Sequence, residues 1–183
     1  MSESPRVRVY LASSLDGFIA GPNHEIDWLN EVPEGVDMQA PTEALGFHDF
    51  MSQVGAMLMG RATYDLVESY GQWHYGDIPV LVATRRPLTP IVPTVSAVQG
   101  EIGDLIAQAK EAAGDRDVYL DGGNLVQQAI KAELVDELTL TMVPILLGDG
   151  IRLFEHIGGP HKLAFRPPKE HHHMVQLTAT PAR

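Results

Sequence analysis

Three short turns of the chain combine residue types that bind phosphate groups. Gly60-Arg61-Ala62-Thr63 and Gly122-Gly123-Asn124 carry glycines, whose backbone N–H groups an anion can approach closely, and Thr84-Arg85-Arg86 carries two fixed positive charges. Each turn follows an apolar run that is typical of a buried strand, and the first and third precede residues with helical patterning. Together the three turns predict a site for a pyrophosphate and one further phosphate, which is the charge distribution of NADPH.

Alternating strands and helices are needed to bring these turns together. Apolar patterning predicts strands at residues 7–12, 56–59, 79–83, 95–98, 117–120, 137–147 and 175–179. Helices are predicted at residues 41–53, 63–68 and 101–113 and directly after Gly122-Gly123, and a long loop with one helical turn near Trp28 at residues 22–40. This order indicates a single α/β domain over residues 1–183, with a mostly parallel sheet and an antiparallel C-terminal edge strand. In such sheets ligands bind at the carboxyl ends of the strands, where all three turns are expected.

Composition and charge exclude several classes of partner. The net charge of −11 argues against a surface that neutralises nucleic acid or an anionic membrane, although it leaves room for a small basic pocket. The chain has no cysteine, which excludes disulfides and thiolate chemistry. Because we find no apolar run of membrane-spanning length and no signal-peptide pattern, we expect a cytoplasmic protein that acts on a small molecule. The G-x-G-x-x-G pattern is missing, so the phosphate site belongs to a fold other than the Rossmann domain.

Five segments, in a fixed order, carry a resemblance to a known family. They are Ser14-Leu15-Asp16-Gly17-Phe18-Ile19-Ala20-Gly21, Met59-Gly60-Arg61-Ala62-Thr63-Tyr64, Val82-Ala83-Thr84-Arg85, Tyr119-Leu120-Asp121-Gly122-Gly123-Asn124-Leu125, and Val135-Asp136-Glu137-Leu138 continued by Pro144-Ile145-Leu146-Leu147-Gly148-Asp149-Gly150 and Leu153-Phe154. Through them the chain resembles the dihydrofolate reductase-like superfamily, and within it the C-terminal reductase domain of bifunctional bacterial riboflavin-biosynthesis enzymes and its stand-alone relatives. The resemblance spans residues 7–154 and implies a three-layer α/β fold, an NADPH-dependent oxidoreductase and a homodimer.

The resemblance also implies which residues form the site. Those that bind the cofactor would be Ala12, Ile19, Gly60, Arg61, Thr63, Thr84, Arg85, Arg86, Gly122, Gly123 and Asn124. Among them, Thr84 and Arg85 would contact the adenosine 2′-phosphate, assisted by Arg86. The substrate ring would lie against Phe47, Leu120 and Asp121.

Two acids are candidates for the catalytic proton donor. Dihydrofolate reductases place an acid in a Pro-x-acid-x-x-x-Phe stretch, which residues 41–47 match with Glu43 as the acid. A carboxyl in a largely apolar pocket is favoured in its neutral form and could then donate a proton. Glu43 could equally be an acid in the first turn of a helix, where it favours the helix dipole. Asp16, in the loop between Ala12 and Ile19, is the second candidate.

The substrate is less defined than the cofactor. Residues 22–50 contain no arginine or lysine, which disfavours a substrate with a phosphoribosyl group but leaves NADPH unaffected. The expected activity is hydride transfer from NADPH to a small pyrimidine-type, pteridine-type or sugar-linked heterocycle. Dihydrofolate reduction and a non-catalytic nucleotide-binding module are the alternatives.

The run His171-His172-His173 raises the question of a metal site. Patterning predicts that it lies in a strand, with His171 and His173 on one face. We expect no metal there, because two histidines on one strand face do not by themselves complete a ligand set.

Overall fold

The computed structural model describes residues 4–182 of the chain. These residues contain eleven strands and four α-helices. In order they are β1 (Val7–Ser14), β2 (Phe18–Ala20), α1 (Phe47–Met51), β3 (Val54–Gly60), α2 (Arg61–Ser69), β4 (Val80–Ala83), β5 (Val95–Val98), α3 (Ile102–Ala113), β6 (Asp117–Asp121), α4 (Gly123–Lys131), β7 (Glu137–Val143), β8 (Ile151–Arg152), β9 (Leu163–Phe165), β10 (Lys169–His171) and β11 (Met174–Pro181). A short 3-10 helix at Asp27–Asn30 buries Trp28, as predicted for the long loop.

One large sheet organises the molecule. Its strand order is β10-β11-β7-β1-β6-β3-β4-β5, with β9 also paired to β11, while β2 and β8 form a separate small sheet. The strands from β7 to β5 in this order run parallel to one another, whereas β11 pairs antiparallel with β7, β9 and β10. The predicted fold class is confirmed. The antiparallel edge contains three strands rather than one, because β9 and β10 pair with the outer side of β11.

Alternating side chains on the central strands divide the core into two layers. On β3, Ala56 and Leu58 belong to the cluster that packs under α3 and α4, whereas Met57 and Met59 belong to the cluster on the opposite face. That second cluster contains Phe50 of α1 and Tyr64 of α2. The period-two pattern therefore produces helix, sheet and helix layers. Within residues 4–182, no helix is long and apolar enough to cross a membrane.

The predicted helix at residues 41–53 is wrong over its first half. Helix α1 spans only Phe47–Met51, and the preceding segment is irregular. The backbone N–H of Leu45 donates to Oε1 of Gln176 on β11 at 2.7 Å, and Nε2 of Gln176 donates back to the Leu45 carbonyl at 3.0 Å. These bonds from a distant strand take the place of helical hydrogen bonds, which local patterning cannot reveal.

Strand β7 also differs from its prediction. It ends at Val143 rather than at residue 147, and both of its faces are buried instead of one. Thr139 and Thr141 satisfy their hydroxyls on β11, with Thr178 at 3.2 Å and Gln176 at 3.4 Å respectively. The alternating threonines of β7 are buried because they hydrogen-bond to polar side chains of β11. For this reason their pattern predicted an exposed face that the strand does not have.

The three consecutive histidines do not share a strand, so that prediction is wrong. Strand β10 ends at His171, β11 begins at Met174, and the two pair as a hairpin around His172 and His173. His172 has a φ of +58°, which marks a turn rather than extended backbone. His171 and His173 are therefore not neighbours on one strand face.

Candidate active site

A cavity of about 540 Å³ opens at the carboxyl ends of the parallel strands. Its walls include Ala12 of β1, Gly60 of β3, Ala83 of β4 and Asp121 of β6. These four strands are neighbours in the sheet, so their ends meet at one edge. The position agrees with the general location of ligand sites in open α/β sheets.

The first and third phosphate-type turns are in direct contact. A Cβ atom at Gly122 would lie 3.2 Å from the backbone nitrogen of Gly60 and 3.1 Å from Oγ1 of Thr63. Gly122 has a φ of +104°, a backbone conformation that residues other than glycine rarely adopt. Glycine is therefore required at this position both for its backbone conformation and for the close approach of the two turns.

The second turn joins them through Arg61. Nη1 of Arg61 donates to the carbonyl of Pro87 at 2.9 Å and lies 3.3 Å from Oγ1 of Thr84. That hydroxyl also accepts the backbone N–H of Arg86 at 3.0 Å, so buried Thr84 closes its own turn. The three turns predicted from sequence thus converge at one edge of the sheet.

Two helices begin at this convergence without a capping side chain. Helix α2 starts after Gly60 and α4 after Gly122, and neither has an acidic residue in its first turn. The first N–H groups of a helix have no partner within the helix, and the helix dipole adds positive potential. Two such N-termini beside one cavity form an anion-binding surface.

Alanine at Gly122 is expected to destabilise the fold by about 1–3 kcal/mol, because it combines an unfavourable φ with a close contact. Gly71→Ala is a matched control, since Gly71 has a φ of +66° but nothing within 4 Å of its Cβ position. Urea unfolding of both variants measures the difference. Equal destabilisation by the two substitutions would show that the contact between the turns is unimportant.

The positive charges of the site are partly neutralised by Asp65. Its Oδ1 accepts from Nε of Arg61 at 2.6 Å, and its Oδ2 from Nη2 of Arg86 at 2.8 Å. Partial burial disfavours the ionised carboxyl, but the hydrogen bonds and charges of the two arginines outweigh it and lower the pKa of Asp65. Arg85 is exposed and makes no hydrogen bond or ion pair with the rest of residues 4–182.

Asp121 is the buried acid of the cavity. Its Oδ1 accepts the N–H of Gly122 at 2.7 Å, and its Oδ2 lies 3.3 Å from the hydroxyl of Tyr119. Burial raises the pKa of Asp121 to about 6, although both hydrogen bonds act in the opposite direction. The carboxyl is therefore protonated in about half of the molecules at pH 6 and in about a tenth at pH 7, and the protonated form can donate a proton.

Glu43 lies in a different environment from the one expected of a proton donor. Its side chain is 82% exposed, forms an ion pair with Lys169 at 2.5 Å, and does not line the cavity. The hydrogen bond and the charge of Lys169 lower the pKa of Glu43. The expectation of an apolar pocket around this carboxyl is wrong, because residues 41–46 follow the β10–β11 hairpin instead of entering the cavity.

Asp16 stabilises the loop in which it lies through hydrogen bonds. Its carboxylate accepts from Oγ of Ser14 at 2.6 Å and from the N–H groups of Leu147 and Gly148 at 3.1 and 2.8 Å. These bonds, led by that of Ser14, lower the pKa of Asp16 to about 2. Asp16 does not line the cavity, and an anion of this kind is a poor proton donor.

The other predicted residues divide into two groups. Those that line the cavity are Ala12, Ile19, Gly60, Arg61, Thr63, Asp121, Gly122, Gly123 and Asn124. Phe47 lies half-exposed at the start of α1, and Leu120 is fully buried in the core, so neither reaches the cavity. Thr84, Arg85 and Arg86 lie beside Arg61 at the end of β4, outside the lining.

Several lining residues come from the 3-10 helix and from irregular segments, where no motif identified them. They include His24, Ile26, Leu29, Tyr70 and Tyr75. Burial, and after it the charge of Asp121, raise the pKa of Tyr75. The burial of Asp121 had a weak signal in the sequence, since it ends the apolar run Val118–Leu120.

Comparison with known proteins gives consistent matches over nearly the whole chain. A family model described as the RibD C-terminal domain matches residues 5–169. The uncharacterized protein YwjB of Bacillus subtilis is 31% identical over 170 residues, covering 92% of this chain and 94% of that protein.

Solved structures agree with this match. The crystal structure of a putative riboflavin biosynthesis protein from Shewanella sp. PV-4 has a TM-score of 0.81 and 32% identity, covering 97% of this chain and 99% of that one. A diaminohydroxyphosphoribosylaminopyrimidine deaminase/5-amino-6-(5-phosphoribosylamino)uracil reductase from Thermotoga maritima has a TM-score of 0.67 at 14% identity, over 98% of this chain and 57% of that one. At this low identity the second match concerns the fold alone.

Proposed function

Because the chain belongs to the RibD C-terminal domain family, we propose that it is an NADPH-dependent reductase of a small nitrogen heterocycle. The bond reduced would be C=N or C=O, in a pyrimidine-type, pteridine-type or sugar-linked compound. One observation carries the proposal: two uncapped helix N-termini meet at a cavity that contains a buried carboxyl with a raised pKa, and a basic turn adjoins them through Arg61.

The residues present fit the phosphates of NADPH. The pyrophosphate would lie against the first N–H groups of α2 and α4, next to Gly60 and Gly122, which have no side chain of their own. Arg85 and the unoccupied edge of Arg61 would bind the 2′-phosphate. Ala12 and Ile19, on the cavity wall, would lie beside the nicotinamide.

The proton for the reduction would come from Asp121. The cofactor, when bound, supplies a hydride to the carbon of the C=N or C=O bond. The protonated carboxyl of Asp121 supplies the proton to the nitrogen or oxygen, and the resulting carboxylate regains a proton from water. A pKa of about 6 leaves the group able to perform both steps near neutral pH.

The walls beyond the phosphate turns favour a flat, uncharged ring. They include the apolar side chains of Leu11, Ile26, Leu29 and Val67. Arg61 is the one lysine or arginine among the cavity-lining residues within 4–182, and we assign it to the cofactor. A neutral ring with a polar edge towards Asp121 therefore fits better than a substrate whose binding depends on its own phosphate.

A titration of the protein with NADPH, followed by NADPH fluorescence, tests cofactor binding. Saturable binding in the micromolar range is expected, and its absence would overturn the proposal. NADPH consumption is then measured with 5-amino-6-(5-phosphoribosylamino)uracil and with dihydrofolate as acceptors. Tight NADPH binding without consumption in the presence of either acceptor would favour a non-catalytic binding module.

Arg85→Ala is expected to weaken NADPH binding by about 1–3 kcal/mol, the value of a charge-assisted contact, while NADH binding changes little. Calorimetric titration with both dinucleotides measures the two effects. Arg116→Ala controls for net charge, because it removes an exposed arginine before β6, at the amino ends of the parallel strands. Equal loss of affinity for both dinucleotides would exclude a role of Arg85 at the 2′-phosphate.

A further inference from the structure

We infer that Asp65 determines the cofactor specificity of the site, by occupying the arginines that a 2′-phosphate would use and so limiting the preference for NADPH over NADH. The inference rests on the proposed function and concerns a residue that no sequence motif singled out. It follows from the way in which Asp65 divides its two carboxylate oxygens between two elements.

The geometry around Asp65 imitates that of a bound anion. Oδ1 accepts a hydrogen bond from Nε of Arg61, the first residue of α2. Oδ2 accepts one from Nη2 of Arg86, which follows β4. A phosphate between the same two arginines would use its oxygens in the same way. Asp65 is 37% exposed, so this is a solvent-accessible arrangement that a ligand can rearrange, not a pair sealed in the core.

The two arginines respond differently when Asp65 is neutralised. Arg61 keeps its contacts to the Pro87 carbonyl and Thr84, so its position is retained. Arg86 has a 63% exposed side chain, and Asp65 is its ion-pair partner among residues 4–182. Without the carboxylate charge, Arg86 becomes available to an incoming phosphate.

The charge balance sets the direction of the effect. Arg61, Arg85 and Arg86 bring three positive charges to this strand end, and Asp65 removes one. A 2′-phosphate is repelled by the carboxylate and competes with it for the same N–H donors. The adenosine ribose of NADH has a 2′-hydroxyl instead, which can donate a hydrogen bond to a carboxylate. Other dinucleotide sites use an Asp or Glu beside the ribose in this way.

Asp65→Asn separates charge from shape, since asparagine keeps an oxygen for Arg61 but loses the negative charge. We expect the Kd for NADPH to fall about three- to tenfold and to become more dependent on salt concentration, with the Kd for NADH unchanged or higher. Adenosine 2′,5′-bisphosphate, which has the 2′-phosphate without the nicotinamide, should gain affinity by the same factor. Calorimetric titration measures all three Kd values.

Two further variants complete the experiment. Asp115→Asn removes an exposed carboxylate before β6, at the amino ends of the parallel strands, and should leave all three Kd values unchanged. Arg86→Ala leaves Asp65 paired with Arg61 alone and should weaken binding of NADPH and of the bisphosphate.

The possible results distinguish the inference from the proposed function. Tighter NADPH binding by Asp65→Asn, with NADH not tightened, supports the inference. Unchanged or weaker NADPH binding by Asp65→Asn, in a variant that melts like the wild type, overturns it while the reductase proposal stands. Failure of the wild-type protein to bind NADPH or the bisphosphate overturns both.

Discussion

Asparagine in place of Asp121 is expected to lower NADPH-dependent turnover by about 10²- to 10⁴-fold, the usual contribution of a positioned acid, while the Kd for NADPH stays the same. The reason is that the amide keeps the size of the side chain but cannot transfer its proton. Turnover is measured with whichever acceptor the wild type reduces. Glu43→Gln is the matched comparison, and its turnover should equal that of the wild type because Glu43 is exposed and outside the cavity.

The pH dependence provides a second readout for Asp121. Because the protonated carboxyl is the active form, the wild-type rate should fall as the pH rises through about 6. The residual rate of Asp121→Asn should lack this titration. A wild-type rate that is constant from pH 5 to pH 8, about one to two units to either side of that pKa, would exclude Asp121 as the proton donor.

Asp121 should also affect stability, with a sign fixed by its raised pKa. A group whose pKa is higher in the folded state stabilises the fold below its unfolded pKa of 3.8, and that contribution is lost as the pH rises through about 6. Relative to the wild type, Asp121→Asn should therefore gain about 2 kcal/mol of unfolding free energy between pH 4 and pH 7. Urea unfolding at the two pH values measures this gain, and its absence would contradict the burial of the charge.

Arg8→Met is expected to destabilise the fold by about 3–5 kcal/mol, the usual cost of removing one partner from a buried ion pair. Nη2 of Arg8 lies 2.7 Å from Oε1 of Glu137, and the two side chains are only 4% and 3% exposed. Nη1 of Arg8 lies 3.1 Å from Asp117. Although Arg166 also contacts Glu137, methionine would leave Oε1 without its partner in a buried position.

The exposed pair Lys169–Glu43 is the matched control for Arg8. Its side chains are 43% and 82% exposed, so Lys169→Met should cost less than about 1 kcal/mol. Thermal and urea unfolding of both variants provide the comparison. Similar losses from the two substitutions would show that burial adds nothing to the Arg8–Glu137 pair.

The elements with strong local signals were the ones that sequence predicted well. The strand at residues 95–98 was predicted with its observed bounds, and the helix at residues 101–113 to within one residue. The apolar periodicity of that helix reflects its direct packing on the core. The false helix before Phe47 had an equally plausible pattern. Its backbone is held by Gln176, more than a hundred residues away, and no local window contains that information.

The amino-acid sequence by itself determined that three turns rich in glycine or arginine would follow strands of a parallel sheet. Parallel strands joined by helices must have their carboxyl ends on one side of the sheet, but the pairing of β6 with β3, which brings Gly60 and Gly122 into contact, was decided by the tertiary structure. Tertiary structure alone decided the charge states at that edge. The pKa of a carboxyl depends on the atoms that exclude water from it, and those atoms come from distant segments. For this reason Asp121 is the buried acid and Glu43 an exposed one, and Asp65 holds two of the three arginines.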